Sequence, residues 1–425
     1  MELSPQALRE RSIMNISIAT RTMTYVAVAF LASVASAANK ESVLHSFAGS
    51  PDGADPAATL VFGSAGVAYG TTVTGGQYGY GTVFQLKRSG NKWTETVLYS
   101  FAGAPDGKNP YGGVTLDSTG NLYGTTVAGG DGGTCTGDGC GTVFELTKSG
   151  SKWSEQVLYS FKGGNDGSGP GGGVSFDKAG SLYGTTADGG THSKGTVYQL
   201  SPTNGGQWKE TVIHNFTGGK DGAVGSLGLL LVDQAGSLYG VAEIGGAYGA
   251  GTVFKLSPAA GGKWTFRTLY AFKGQLNAGF PYGGLISDAS SNLYGTTYYG
   301  GKNGVGSVFE LVRGSGGHYK EHLLYSFKTT NDGNSPTSTL LFDASNNLWG
   351  TTSAGGDPGC DCGAVFKLTP ASGGKWKETV VHNFKGRSDG AAPYYGLALD
   401  SSGALYGTTA SGGTESQGVV FKLTP

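Results

Sequence analysis

At 425 residues the chain is longer than one hydrophobic core usually serves, and 79 of those residues are glycine with no G-X-Y period. An aromatic content of 11% excludes a disordered linker, and a formal net charge of -1 excludes the basic footprint of a nucleic-acid or anionic-membrane binder. Glycine spread between β-branched and aromatic runs points instead to an all-β protein with many tight turns, because glycine takes the positive φ that turns need.

Taken in chain order, residues 1–37 read first, as a secretory signal peptide. Arg21 is followed by an apolar stretch ending in Ala35-Ser36-Ala37, an A-x-A cleavage pattern. The stretch is short for a membrane span, so no membrane insertion is expected after cleavage. Removing the leader takes away three arginines and two glutamates and leaves 26 basic against 28 acidic residues. No C-terminal anchor is visible, and a secreted or periplasmic protein is expected.

Residues 38–425 say one sentence seven times and form a single expected domain. The LYGTT run recurs at Tyr69, Tyr123, Tyr183, Tyr239, Tyr294, Trp349 and Tyr406, at steps of 54 to 60 residues. Each unit holds four strand-like runs: GLxxD (strand a), LYGTT (b), GTVFxL (c) and WxExVLYSF (d). Such a unit cannot bury its own faces, so copies must stack. The phase of the termini tells how. The exported chain opens on a fourth run, Ser42 to Phe47, and closes on a third, Gly418 to Leu423. A ring in which the first strand completes the last sheet leaves no exposed edge. The expected fold is a seven-bladed β-propeller of four-stranded antiparallel blades, with an open β-solenoid as the weaker alternative. Two finer expectations follow: the glycine of LYGTT marks close approach of neighbouring blades, and Glu95, Glu155, Glu210, Glu321 and Glu378 of strand d face solvent.

These runs, LYGTTxxGG, GxGTVFxL and VLYSFxGxxDGxxP, resemble the GloVer (Gloeobacter–Verrucomicrobium type) tandem repeat of secreted bacterial proteins. The resemblance covers about Ser42 to Pro425. It implies an extracytoplasmic repeat protein and carries over no activity and no catalytic residue.

In a propeller the d-to-a and b-to-c loops share one face, and here they are the long and variable ones, so ligand binding is expected there. The d-to-a loops carry Asp-Gly motifs at Asp52, Asp106, Asp166, Asp221, Asp332 and Asp389, with Asn277 in the fifth copy. A crown of carboxylates could ligate Ca²⁺ or hydrogen-bond sugar hydroxyls; the same motif also suits an Asx-type turn, the preferred reading because nearly every copy has it. Beside it stand Tyr111, Tyr282, Tyr394 and Tyr395, each close behind a proline, and Tyr78, Tyr80, Tyr248, Tyr298 and Tyr299 lie in b-to-c loops. Such rings can pack on sugars or anchor a protein partner.

Cys135 and Cys140 lie in one b-to-c loop and Cys360 and Cys362 in another, which in an exported chain suggests two loop-stapling disulfides. The one-residue spacing of the second leaves its pairing open, and the distance between the loops argues against a shared zinc. No nucleophile elbow, HExxH or phosphate-cradling loop is present. The leading expectation is a monomeric, non-catalytic scaffold without a cofactor, binding glycan or cell-surface protein. An alternative is a carbohydrate-active hydrolase or lyase using the third and fourth copies (Asp188, His192, Asp221, Glu243), where departures from the repeat concentrate. A purely structural envelope component is the third.

Overall fold

The structure is a computed structural model that describes residues 40–425, apart from 91, 136, 226–227 and 329–330; the expected signal peptide lies outside them. Among the described residues seven antiparallel blade sheets follow one another along the chain, with a short two-stranded ladder of Gly107–Lys108 and Ala128–Gly129 beside the second. The second blade shows the pattern, with strand a at Val114–Leu116, b at Leu122–Thr126, c at Thr142–Ser149 and d at Lys152–Ser160. Strand a shortens to two residues in the other blades, such as Val61–Phe62 and Leu341–Phe342.

The ring closes as its phase requires. Lys40–Ser46 pairs antiparallel with Val419–Thr424, Val43 opposite Phe421, and serves as strand d of the seventh blade. Adding this strand satisfies the backbone edge that the last blade would otherwise expose.

The apolar core lies between blades. One cluster joins Tyr239, Val253 and Phe272 of the fourth blade to Leu285, Phe309 and Leu311 of the fifth, and equivalent clusters occupy the other junctions. At every junction the phenylalanine ending strand d packs edge-on against the strand-c aromatic of the next blade. Phe47 meets Phe84, Phe101 meets Phe144 and Phe161 meets Tyr198, at centroid distances of 5.1, 5.0 and 5.0 Å. The LYGTT glycine makes room for that ring within its own blade. Gly350 lies opposite Phe366 in the ladder, and a Cβ there would sit 2.6 Å from the Phe366 ring. The close approach is therefore between strands b and c, not between blades as expected from sequence, since cross-strand partners share one sheet face.

The a-to-b turns are tied by their aspartates. Asp343 Oδ1 accepts from the N–H groups of Ser345 and Asn347, while Oδ2 accepts from the Asn347 amide and, at 2.8 Å, from Trp349 Nε1. In the five other blades that have this aspartate a tyrosine hydroxyl replaces the indole, as Tyr406 does on Asp400 at 2.9 Å, while the first blade has Gly63 in its place. Asp343→Ala is expected to lower stability by about 2 kcal/mol, because it strands several donors at once; a thermal or urea melt reads the change, and a loss below a few tenths would contradict it. Among the described residues, no helix is long and apolar enough to cross a membrane.

Candidate functional site

The long d-to-a and b-to-c loops do share one face and are laced together by their backbones. The residue before the loop proline donates to the preceding blade's b-to-c loop: Asp55 N–H to Gln417 O, Asn109 to Tyr80, and Phe280 to Ala250, at 2.8 to 2.9 Å. These residues hold positive φ (54°, 59° and 58°), so the lacing fixes an otherwise costly conformation.

The aspartates of the expected crown are not brought together. Each is turned into the seam between two blades, where it accepts from the backbone four residues earlier and approaches the strand-d side chain seven residues earlier. Asp106 accepts from Ala102 N–H (2.8 Å) and the Tyr99 hydroxyl (3.0 Å), Asp166 from Lys162 N–H and the Tyr159 hydroxyl, and Asp332 from Lys328 N–H and the Tyr325 hydroxyl. Histidine takes the tyrosine's place beside Asp52, Asp221 and Asp389, with Nε2 at 3.1, 3.2 and 3.4 Å. The side chains thus anchor their own loops, which is why they point away from the hub.

The strand-d glutamates also differ from expectation. Glu95, Glu155, Glu210, Glu321 and Glu378 are half-buried on the inward face of strand d, which they share with the tryptophan or tyrosine two residues earlier; the lysines and threonines between them are exposed. Glu95 adjoins Asp52, Glu155 Asp106, Glu210 Asp166 and Glu378 Asp332, and Glu41 of the closing strand adjoins Asp389. Burial, reinforced by the neighbouring aspartate, raises the Glu95 carboxyl to about 7 and that of Glu155 to about 8. The two seams that lack one acid confirm the pairing. Tyr270 donates directly to Glu321 at 2.8 Å where Asn277 replaces the aspartate, and Phe266 replaces the glutamate and stacks on His214 at 3.9 Å. His45, Asp52 and Glu95 place ligand atoms within 4.8 Å of one another, yet Asp52 Oδ2 is already engaged by His45 and Ala48 N–H.

Both cysteine pairs are bonded, Cys135 to Cys140 and Cys360 to Cys362, with Cα separations of 5.4 and 5.2 Å.

The tyrosines, by contrast, converge. The inner strands surround an axial cavity of about 500 Å³, open to solvent and lined by Tyr111, Tyr282, Tyr394 and Tyr395 together with small residues such as Ala58, Gly112, Gly172, Gly228 and Ser338. Small residues are required because the inner strands crowd at the hub: a Cβ on Gly112 would run into the backbone of Gly173, and one on Gly228 into that of Gly284. Tyr111, Tyr282 and Tyr394 come from the second, fifth and seventh blades, so their rings enter from different sides. Burial pushes the Tyr282 hydroxyl up to about 12 and also raises that of Tyr395, which keeps both phenols neutral and donating.

Two carboxyls act electrostatically on this cluster, although neither lines the cavity. Asp55 is within electrostatic reach of Tyr111 and Tyr395, and Glu243 of Tyr282; burial raises both acids. The sequence marks Glu243 by its departure from LYGTT. Sequence reasoning misses Asp55, although its counterparts Asn109, Gly169, Phe280, Ser335 and Ala392 mark the same kind of departure. The remaining members of the suspected enzyme sector do not join Glu243: Asp188 and His192 are exposed on a b-to-c loop, and Asp221 is bonded to its own loop. Tyr78, Tyr80, Tyr248 and Tyr299 stand exposed on the b-to-c loops.

Fold and cavity together define the class: a seven-bladed β-propeller with a tyrosine-lined axial mouth. The Gloeobacter/Verrucomicrobia repeat matches residues 29–233 and 226–425, and the chain belongs to that family. No curated protein matches the sequence. Among solved structures it is similar to a protein described as an oxidoreductase (glucose dehydrogenase) from Thermus thermophilus, with 13% identity and a TM-score of 0.42 over 91% of this chain and 100% of the other. It is also similar to an ancestral GH74 enzyme, with 13% identity and a TM-score of 0.48, covering 87% of this chain and half of that one.

Proposed function

We propose that the protein is an exported, non-catalytic binding scaffold that takes glycan or other cell-surface material at the axial mouth. The observation carrying this reading is the convergence of tyrosines from three blades on one open cavity, where amphipathic rings offer an apolar face and a polar tip to a ligand. The two disulfides and the leader pattern support export. The seam aspartates hold the loops that frame the mouth and act on the ligand only indirectly.

A glycan array and a cell-surface pull-down with the purified chain test the proposal. Binding is expected, and Tyr282→Ala or Tyr394→Ala is expected to weaken it about tenfold or more, as the loss of a central aromatic contact does. Blank results in both assays would overturn it. A second reading, glycoside hydrolysis or elimination, draws on Asp55 and Glu243, two partly buried acids that act electrostatically on Tyr111 and Tyr282 of the cavity wall. Labelled oligosaccharides left uncut by the wild-type chain would end that reading while leaving the first intact.

A further inference from the structure

We infer that the axial mouth reads an uncharged sugar chain rather than an acidic one, through the hydroxyls of Tyr111, Tyr394 and Tyr395; this deepens the binding reading above and rests on it. The repeat itself supplies the contrast. Its own tyrosines direct their hydroxyls at carboxylates: Tyr183 at Asp177 and Tyr406 at Asp400, both at 2.9 Å, in the turns, and Tyr159 at Asp166, at 2.8 Å, in a seam. The three hub tyrosines stand where other copies carry small residues such as Ala57, Gly171 and Ser338. Among the described residues none of their hydroxyls makes a hydrogen bond within the chain. Those of Tyr111 and Tyr395 stay open to solvent, unlike the sealed hydroxyl of Tyr198, and Tyr394 is an exposed residue.

Much of the wall's other hydroxyl capacity is already taken. Thr337 Oγ1 donates to Tyr394 O and Ser175 Oγ to Leu230 O, both at 2.7 Å, while Thr339 Oγ1 accepts from Gly284 N–H at 2.8 Å. The phenols are therefore the principal polar groups facing a ligand, and each can donate and accept, as a sugar hydroxyl does. No charged side chain and no histidine lines the cavity among the described residues. A carboxylate brought there would lose water without gaining a cation. An uncharged sugar instead exchanges water for phenol hydrogen bonds and packs its apolar face on the rings. Half-exposed Leu229 in the wall gives that face a further apolar neighbour.

The test sorts the hits of the glycan array by charge and titrates the full exported chain calorimetrically with cellohexaose, maltohexaose and mannohexaose against hexagalacturonate, near neutral pH. Neutral hits are expected, with the best neutral hexaose bound about tenfold or more tightly than the acidic one and its affinity unchanged in high salt. Tyr394→Phe and Tyr395→Phe keep the ring and should keep the melting temperature, yet each should weaken binding about fivefold, as the loss of one hydrogen bond does. Tyr406→Phe, whose hydroxyl is held by Asp400, should do the reverse, lowering the melting temperature and leaving binding in place. Equal or tighter binding of hexagalacturonate, acidic hits on the array, a blank array beside a positive cell-surface pull-down, or full affinity in both Phe variants would overturn the inference and leave the scaffold reading standing. Binding of no oligomer, beside a blank array and a blank pull-down, would remove both.

Discussion

A chain that begins at Gly49, after the closing strand, is expected to lose its single cooperative melting transition. Without Lys40–Ser46 the edge of Val419–Thr424 is bare, and Phe47, which is fully buried against Phe84 and Val420, no longer fills the junction of the seventh and first blades. Burying such a ring contributes about 3 kcal/mol and truncating it to alanine costs about 4 kcal/mol, before the lost backbone pairing is counted. Phe47→Ala should accordingly lower the melting temperature while keeping the ring, whereas the deletion should open it. Adding a synthetic peptide spanning residues 40–48 to the truncated chain should restore the transition in proportion to peptide concentration. A truncated chain that melts like the intact one would show that the ring does not need its clasp.

The second large effect is on pH. Glu41, Glu95, Glu210 and Glu378 are raised to about 7 and Glu155 to about 8, from an ordinary 4.5. Below 4.5 both the folded and the unfolded states hold these protons; as pH rises the unfolded chain releases them first, so the stability they contribute is lost progressively up to about pH 8. The groups facing them are Asp52, Asp106, Asp166, Asp332 and Asp389, offset in part by His45 and Lys328. Two effects run the other way. Burial lowers His214 and His382, whose contribution is lost as pH falls through the histidine range, and hydrogen bonds lower Asp117, Asp233, Asp343 and Asp400, whose contribution is lost in stronger acid. Five glutamates outweigh two histidines, so the melting temperature should fall by roughly 5–10 °C between pH 5 and pH 8, at about 1 kcal/mol per site after solvent screening. Glu155→Gln should flatten part of that slope. A profile that is level or rises across the interval would refute the seam chemistry.

Much of the architecture was legible because repetition is a long-range signal written locally. The phase of Ser42–Phe47 against Gly418–Leu423 carried the closure, and the turn aspartates carried the hairpins. What was not legible depended on which surface a blade presents to its neighbour. Glu95 and its equivalents look like solvent-facing polar positions until Asp52 and its equivalents arrive across the seam. The seam aspartates in turn look like a crown until Tyr99 or His214, seven residues back, claims them. At the mouth the sequence did mark Tyr111, Tyr282 and Tyr394, because proline fixes where the inner strand begins. Asp55 is hidden from sequence reasoning because it sits within the Asp-Gly motif and looks like part of the turn.

The pairing of Lys40 with Thr424 puts the two ends of the ring side by side, at the place where every other blade has a c-to-d hairpin such as Ser149 to Lys152. A linker of a few residues could therefore join Pro425 to Asn39, and new ends could be cut at any of the six remaining outer hairpins. Such rearranged chains would let the order of synthesis be varied while the finished wheel stays the same, and would reveal whether assembly depends on which spoke is made first.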